Sequence, residues 1–268
     1  MTNDWRKKYD WVGNFHEGLA QVRLNVQGGF VWGFVNEQGK EVIPPKYEGV
    51  GPFLNGFAQV QLNGKWGSID KTGKVVIPLE YDYVDFHFGD LIQVKLNDKW
   101  GFVNDQGTKV IKLKYDQVEG FSEGLAGVKL DRKWGFVNEQ GTEVIPLKYD
   151  KVGYFSEDLA SVGLNDDKWG LNHKYGFVDK TGKVVIKPKY DWVVEPFDDG
   201  FAKVELNGKQ GFVDQQGNEV VPLKYDWVGD FSEGLAYVKL DNWGWVDQQG
   251  NEYWNMTKDQ AREQMKKR

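Results

Sequence analysis

The segment from Lys133 to Asp150 reads KWGFVNEQGTEVIPLKYD, and variants of it recur along the chain. One landmark is an aromatic residue followed by glycine, at Trp32, Trp66, Trp100, Trp134, Tyr175 and Trp243, with Gln210 in the remaining place. A second landmark is a tyrosine followed by an acid, at Tyr9, Tyr47, Tyr81, Tyr115, Tyr149, Tyr190 and Tyr225. Both landmarks count seven units, and a missed repeat would misassign the whole fold.

The residue types decide between helix and strand, because a period of about 34 residues also suits helical tetratricopeptide repeats. In the second unit, apolar and polar residues alternate from Phe57 to Leu62, which is typical of a strand with one solvated face. Asn63-Gly64 favours a two-residue hairpin. The sequence therefore predicts that Lys65 to Asp70 returns antiparallel to the preceding strand.

Two shorter strands complete the predicted unit. One lies around Tyr47 to Val50, and the other is Val75 to Ile77, which Pro78 is expected to end because proline cannot donate a ladder hydrogen bond. The turn from Asp70 to Gly73 places a glycine where the left-handed conformation is needed. Each unit is thus predicted to be a four-stranded antiparallel meander.

The third strand is apolar on both sides, since Trp32 and Phe34 point one way and Val35 the other, so both faces must be covered by neighbouring sheets. The fold class is therefore all-β, with seven tandem four-stranded antiparallel units of about 34 residues in a propeller-like ring. An open β-solenoid or superhelical meander is the alternative. A single domain is expected over 1–256, with units at about 9–44, 47–78, 81–112, 115–146, 149–188, 190–222 and 225–254.

After the repeats, Thr257 to Gln260 resembles a capping box, so residues 257–268 are predicted to form a short C-terminal helix or tail.

Composition excludes several classes of function. The 268 residues include 40 acidic and 34 basic side chains, giving a formal charge of −6, whereas a nucleic-acid binder needs a concentrated basic excess. The first residues lack the apolar run of a signal peptide, and no later stretch approaches a membrane span. We expect a cytoplasmic protein with no nucleic-acid or membrane partner.

The residues offer little chemistry. The chain has no cysteine, and its three histidines belong to distant units without a nucleophile elbow. No pair of histidines has zinc-ligand spacing, and no glycine-rich phosphate loop opens a helix. The expectation is a protein without catalytic residues, metal or cofactor, and hence no enzyme. The anchor acids are expected to pair with the lysine two positions before them, as at Lys46, Lys114, Lys148, Lys189 and Lys224.

The repeated pattern Lys-Trp-Gly-Phe-Val-Asn/Asp followed by Gly, Val-Ile-Pro and Lys-Tyr-Asp resembles the WG (or KWG) repeats of many bacterial proteins. The resemblance covers roughly residues 9 to 254, with departures at Gln210 and Tyr175. It implies a bacterial β-repeat protein that acts as an interaction scaffold, and it carries over no catalytic residues.

Variable positions within the repeat point to a binding surface. Two residues after the anchor tyrosine, four units carry a large aromatic side chain: Trp11, Tyr83, Trp192 and Trp227. Units six, seven and one carry Trp, and in a closed ring these three are neighbours. Exposed Trp and Tyr supply much of the contact energy of interfaces. Packing between units is the alternative role, because Trp is highly buried on average.

Two units have longer middle hairpins, which in repeat arrays often lie on the binding face. Unit one expands around Phe30, and unit five around Trp169 and His173. Neutral variation of tolerant loops is the alternative. The sequence therefore predicts a non-enzymatic scaffold that binds another protein, within a toxin, immunity or defence system. A carbohydrate-binding module that stacks Trp and Tyr on sugars is the second hypothesis.

Overall fold

The computed structural model describes residues 5–85, 90–165 and 172–267. These residues form seven four-stranded antiparallel sheets, each built from four strands consecutive in sequence. No sheet within these ranges combines strands of two units. The predicted all-β class and the four-stranded antiparallel unit are confirmed. The chain divides into two compact bodies, one of residues up to Val118 with Glu139–Gly141, the other of Glu119–Asn138 with the residues from Thr142 onward.

The first three sheets follow a short 3₁₀ helix, Trp5–Lys8. Their strands are β1 (Trp11–His16), β2 (Leu19–Val26), β3 (Gly29–Asn36), β4 (Glu41–Tyr47), β5 (Gly49–Val50), β6 (Phe57–Leu62), β7 (Lys65–Asp70), β8 (Val75–Tyr81), β9 (Tyr83–Val84), β10 (Leu91–Leu96), β11 (Lys99–Asn104) and β12 (Lys109–Tyr115).

The next four sheets precede helix α1 (Lys258–Met265). Their strands are β13 (Gln117–Ser122), β14 (Leu125–Leu130), β15 (Lys133–Asn138), β16 (Glu143–Tyr149), β17 (Lys151–Ser156), β18 (Leu159–Asn165), β19 (His173–Asp179), β20 (Val184–Tyr190), β21 (Trp192–Asp198), β22 (Phe201–Leu206), β23 (Lys209–Asp214), β24 (Glu219–Tyr225), β25 (Trp227–Ser232), β26 (Leu235–Lys239), β27 (Trp243–Asp247) and β28 (Glu252–Trp254).

The turn residues behave as their chemistry predicts. Asn63 and Gly64 both have positive φ, at 53° and 72°, which a two-residue primed hairpin requires. The carboxylate of Asp70 accepts hydrogen bonds from the backbone N–H groups of Thr72 and Lys74, at 2.9 and 3.0 Å. Gly73 takes the left-handed position with φ of 85°. The strands β6 and β7 have the predicted bounds because these turns fix their register.

The predicted end of the fourth strand was wrong. Pro78 does not stop β8, which continues to Tyr81. The register between β7 and β8 shifts between the pairs Ser68↔Ile77 and Trp66↔Tyr81, so Pro78 lies in a bulge on the outer strand, where no ladder donor is needed. The anchor tyrosine therefore ends a sheet, and the next sheet begins two residues later.

Within each body, successive sheets pack face to face through apolar side chains. In the second body, Leu159, Phe177 and Ile186 of unit five form one cluster with Ala202, Val204 and Val213 of unit six. We call the side of a sheet that meets the following unit its trailing face, and the side that meets the preceding unit its leading face. The prediction that both faces of the third strand are covered is confirmed here, since both Phe177 and Val178 are buried.

The first and last units are covered by segments outside the repeat. The leading face of unit one (Ala20, Val22 and Val35) packs with Trp5 and Tyr9. The trailing face of unit seven meets α1, whose predicted capping box is present, with Thr257 and Gln260 bonding each other's backbone N–H. Terminal elements of this kind close the ends of repeat arrays.

Candidate functional site

In six of the seven units, the glycine at the aromatic-glycine position lies against the backbone of the fourth strand. A Cβ added at Gly135 would stand 2.4 Å from the carbonyl oxygen of Ile145, a distance that real Cβ atoms do not tolerate. The same approach to backbone recurs at Gly33, Gly67, Gly101, Gly176 and Gly211. The glycine is therefore required by packing within the sheet, and the motif itself marks no catalytic or binding site.

The predicted partner of the anchor acids was wrong. The acid binds the lysine that opens the third strand of the preceding unit, in the pairs Lys65–Asp82, Lys99–Asp116, Lys133–Asp150, Lys174–Asp191 and Lys209–Asp226, at 2.5 to 2.6 Å. The lysine two positions before the acid instead lies over the ring of the anchor tyrosine, as Lys148 lies 5.1 Å from the centroid of Tyr149. The prediction was wrong because the fourth strand runs back along the third. This brings a lysine and an acid that are 17 positions apart in the sequence into contact.

Several anchor acids also hold the hairpin of their own unit. Asp191 accepts the ammonium of Lys174 at one oxygen and the backbone N–H of Asn207 at the other. The hydrogen bond from Lys174, followed by that of Asn207, lowers the pKa of Asp191. One carboxylate thereby joins unit five to unit six.

These bridges predict a loss of stability in acid. A carboxyl whose pKa is lower in the folded state stabilises the fold above its ordinary value near 4, and this contribution is lost as the pH falls through the folded-state pKa. We expect Asp191→Asn to lower the melting temperature at pH 7 and to match the parent near pH 2. Melting temperatures across this range test it, with the exposed Asp241→Asn as control. An equal deficit of Asp191→Asn at both ends of the range would contradict the assignment.

The four aromatic residues predicted two positions after the anchor are all exposed. Three of them lie edge-on to the Trp of the aromatic-glycine pair in their own sheet, in the pairs Trp11–Trp32, Tyr83–Trp100 and Trp227–Trp243, with centroids 5.3 to 5.8 Å apart. Burial against this ring and the neighbouring Asp85 raise the pKa of Tyr83. These side chains are therefore held in place on one side and open to solvent on the other.

Trp192 differs because its own sheet carries Gln210 in place of Trp. It packs edge-on against Tyr175 of the preceding unit, with centroids 5.3 Å apart, and is still 54% exposed. Burial raises the pKa of Tyr175. Gln210 accepts the backbone N–H of Val228 in unit seven at 3.1 Å. At Trp192 the surface role and the packing role therefore coexist.

The expanded hairpins give a mixed result. Phe30 is exposed near the tip of the β2–β3 hairpin and lies edge-on to Trp32 at 6.1 Å. His173 is half-buried at the start of β19, 6.2 Å from the ring of Tyr175. Trp169 lies outside the residues that the structure describes.

A cluster of exposed aromatic side chains lies on unit seven, and it was only partly predicted. Tyr237 stacks on Trp243 with centroids 4.9 Å apart and an angle of 10° between the rings, and Trp227 meets Trp243 edge-on. The three are 44% (Trp227), 37% (Tyr237) and 47% (Trp243) exposed. We call them the unit seven platform. Aligning β26 with its counterparts would have revealed Tyr237, because other units carry Gln21, Gln59, Gln93, Gly127, Ser161 and Lys203 there.

The platform is exposed because α1, and not another sheet, packs against the trailing face of unit seven. In the second body, Trp134 holds the same place in unit four as Trp243 and is 7% exposed, in a cluster with residues of unit five. On unit seven, α1 substitutes for part of a following unit. Ala261 and Met265 pack with Leu235 and Tyr253.

Polar contacts also show α1 in the place that a following unit occupies elsewhere. Glu123 of unit four accepts backbone N–H groups of unit five from Glu157 and Asp158. The equivalent Glu233 of unit seven instead pairs with Arg262 and Lys258, at 2.9 and 3.2 Å. The helix covers the hairpin end of the trailing face, and the platform stays open.

A buried lysine joins units six and seven at a second polar site, which was not predicted from the sequence. Lys203, 4% exposed, binds the carboxylates of Glu195 and Asp230 at 2.9 and 2.5 Å. Its hydrogen bond lowers the pKa of Asp230. A recess of about 120 Å³ lies beside these groups, lined also by Phe201 and Phe212. Because Lys203 already satisfies both carboxylates, the cluster acts as a clamp between the two sheets.

Other kinds of site were sought in the described ranges. In residues 5–85, 90–165 and 172–267, no three acidic or histidine side chains converge to hold a metal ion. Within the same ranges, none of the helices has the length and apolar character needed to cross a bilayer.

Comparison with a solved structure at a TM-score above 0.5 supports the propeller-like class. A crystal structure of a eukaryotic initiation factor has a TM-score of 0.51 and 10% identity, covering 92% of this chain and 77% of its own. Hsv2p of Kluyveromyces lactis has a TM-score of 0.41 and 12% identity over 88% of this chain and 92% of its own. Among curated protein sequences, none matches the chain.

The sequence model of the WG containing repeat matches seven times, at residues 7–25, 32–66, 66–100, 100–134, 134–169, 175–209 and 211–242. These matches span most of the chain and follow the repeated sheets described above. The chain belongs to the family of proteins built from the WG containing repeat.

Proposed function

We propose that this protein is a non-enzymatic scaffold that binds another protein through the unit seven platform. The observation that carries the proposal is the exposure of Trp227, Tyr237 and Trp243 together on a face which, in preceding units, packs against another sheet. Trp and Tyr are enriched among the residues that contribute most to binding at interfaces. A clustered set of three is more than the scattered apolar residues found on any soluble surface.

The order of the platform also favours binding. Each ring is held by a neighbouring ring, and Trp245, which packs against Tyr237, donates from its indole nitrogen to the carbonyl of Met256 at 3.2 Å. A surface whose side chains are already fixed loses less conformational entropy when a partner binds. Trp11, Tyr83 and Trp192 are separate exposed positions on other units. A role in toxin, immunity or defence systems and the binding of carbohydrate both stay predictions from the sequence.

The experiment is affinity capture from a native lysate with the tagged full-length chain, with bound proteins identified by mass spectrometry. The double variant Trp227→Ala/Trp243→Ala should lose a stoichiometric partner that the parent retains. Tyr154→Ala is the matched control, because Tyr154 is an exposed aromatic residue on unit five, outside the platform. A partner retained equally by the double variant would overturn the platform as the site. Platform-dependent retention on a glycan array, without any protein partner, would favour carbohydrate instead.

A further inference from the structure

We propose that the unit seven platform takes a single extended segment of a partner protein, laid where the first strand of a following unit lies elsewhere in the repeat. The segment carries an aromatic or β-branched side chain next to an acid. This inference rests on the proposed function and specifies the chemistry of the partner.

The first step is the equivalence of the platform to covered positions in earlier units. The platform residue Tyr237 corresponds to Gln59, which is buried and donates from its side chain to the carbonyl of Val84, in the first strand of unit three. Gln21 donates in the same way to the carbonyl of Val50, in the first strand of unit two. At the place equivalent to Tyr237, the first strand of the following unit therefore lies across the trailing face.

The second body shows which side chains the incoming strand brings. A Cβ at Gly127 would lie 3.2 Å from the side chain of Val152, in the first strand of unit five. Tyr175, in the place of Trp243, is contacted by Trp192 from the first strand of unit six. In this protein, the first strand of the following unit therefore places valine and tryptophan side chains on the trailing face.

The third step is the size of the open area. In unit six, the strands β22 and β23 cover the apolar trailing residues of unit five. On unit seven, α1 already covers the corresponding Leu235, with Lys258 and Arg262 bound to Glu233. A whole additional sheet would have to displace this helix. A single strand would leave the helix in place, because it would cover only the platform.

Charge adds the preference for an acid. The ammonium of Lys239 lies over the ring of Trp243 at 5.7 Å, and Asp226, an acid that interacts with it electrostatically, is already bound to Lys209. A segment whose aromatic residue follows an acid places a carboxylate near this ammonium. The chain contains such a segment in Tyr190-Asp191-Trp192, whose Trp192 contacts Tyr175 between units five and six while its Asp191 binds Lys174.

The test uses a fluorescein-labelled peptide with the sequence of residues 190–198, YDWVVEPFD, titrated with the full-length chain and followed by fluorescence anisotropy. We expect saturable binding that Trp243→Ala weakens by about tenfold or more, as for a central interface aromatic. Trp243→Tyr should bind nearly as well as the parent, because Tyr175 fills this place in unit five. Tyr154→Ala should bind unchanged. A peptide with alanine in place of its tryptophan should bind more weakly, and circular dichroism verifies that each variant is folded.

Two results would overturn the inference. The first is a peptide that does not saturate, or that binds Trp243→Ala as tightly as the parent. The second is tighter binding of a proline-rich peptide without an acid or tryptophan, which would assign the platform to a polyproline ligand. If the peptide fails while lysate capture still depends on Trp227 and Trp243, the proposed function stands and only this inference falls.

Discussion

Gly135→Ala should destabilise the protein severely, whereas Gly244→Ala should be tolerated much better. At Gly135 the new methyl group would meet the carbonyl oxygen of Ile145 at 2.4 Å, and this oxygen belongs to the backbone of the adjacent strand. The sheet cannot yield without breaking the β15–β16 pairing. Overpacking a core usually costs about 1–3 kcal/mol, and a clash with backbone lies at or above the upper end of that range.

Gly244 is the matched control, because it occupies the same place in unit seven. There the added Cβ would meet the ring of Trp254, at 2.3 Å, and no backbone atom is among its three nearest neighbours. A half-buried side chain can change rotamer at a modest cost. Calorimetric melting of both variants tests the difference. Equal losses of stability at the two positions would show that close approach to the backbone is not the reason for the glycine.

Removing α1 by ending the chain after Asn255 should lower the melting temperature and cause the protein to self-associate. The truncation uncovers Leu235 and Tyr253, which are 0% and 1% exposed in the intact chain. Full exposure of one large apolar side chain costs about 1.5–3 kcal/mol, so the last sheet would lose several kcal/mol. The newly exposed face is also continuous with the platform, which enlarges the apolar patch.

The control for this prediction is Arg262→Ala, which removes the charged contact to Glu233 and leaves Ala261 and Met265 in place. An exposed ion pair is worth about 0–1 kcal/mol, so this variant should melt close to the parent. Sedimentation velocity alongside the melts measures self-association. A truncated chain that stays monomeric with an unchanged melting temperature would show that the helix does not cap the array.

Much of the fold could be predicted because local rules and the repeat agree. Asn63-Gly64 and Asp70 to Gly73 specify two turns with fixed register, and these set β6 and β7 to the residue. The continuation of β8 past Pro78 could not be predicted, since the bulge that accommodates the proline depends on the pairing of β8 with Ser68 and Trp66. The anchor acids were assigned the wrong lysines for a related reason, because a hairpin brings distant residues closer than sequence neighbours.

The candidate site was less accessible to sequence reasoning. Trp227 was predicted from its variability, but Tyr237 and Trp243 sit at positions that are buried or half-buried in other units, so the pattern by itself marks them as packing residues. Their exposure follows from how much of the trailing face of unit seven α1 covers. The contact of Trp192 could not be predicted for a different reason. Its own sheet has Gln210 where other sheets have an aromatic residue, so Trp192 packs against Tyr175 of unit five instead.

The arrangement of each sheet from four consecutive strands has a consequence for the gene. Every hydrogen-bonded ladder in the described chain begins and ends inside one sheet, and the link from one sheet to the next is a single residue in all six cases, as Asp150 between β16 and β17. Unequal crossing-over between equivalent codons of two repeats would therefore insert or delete one whole sheet without cutting a ladder. The number of units is a quantity that recombination can change in single steps.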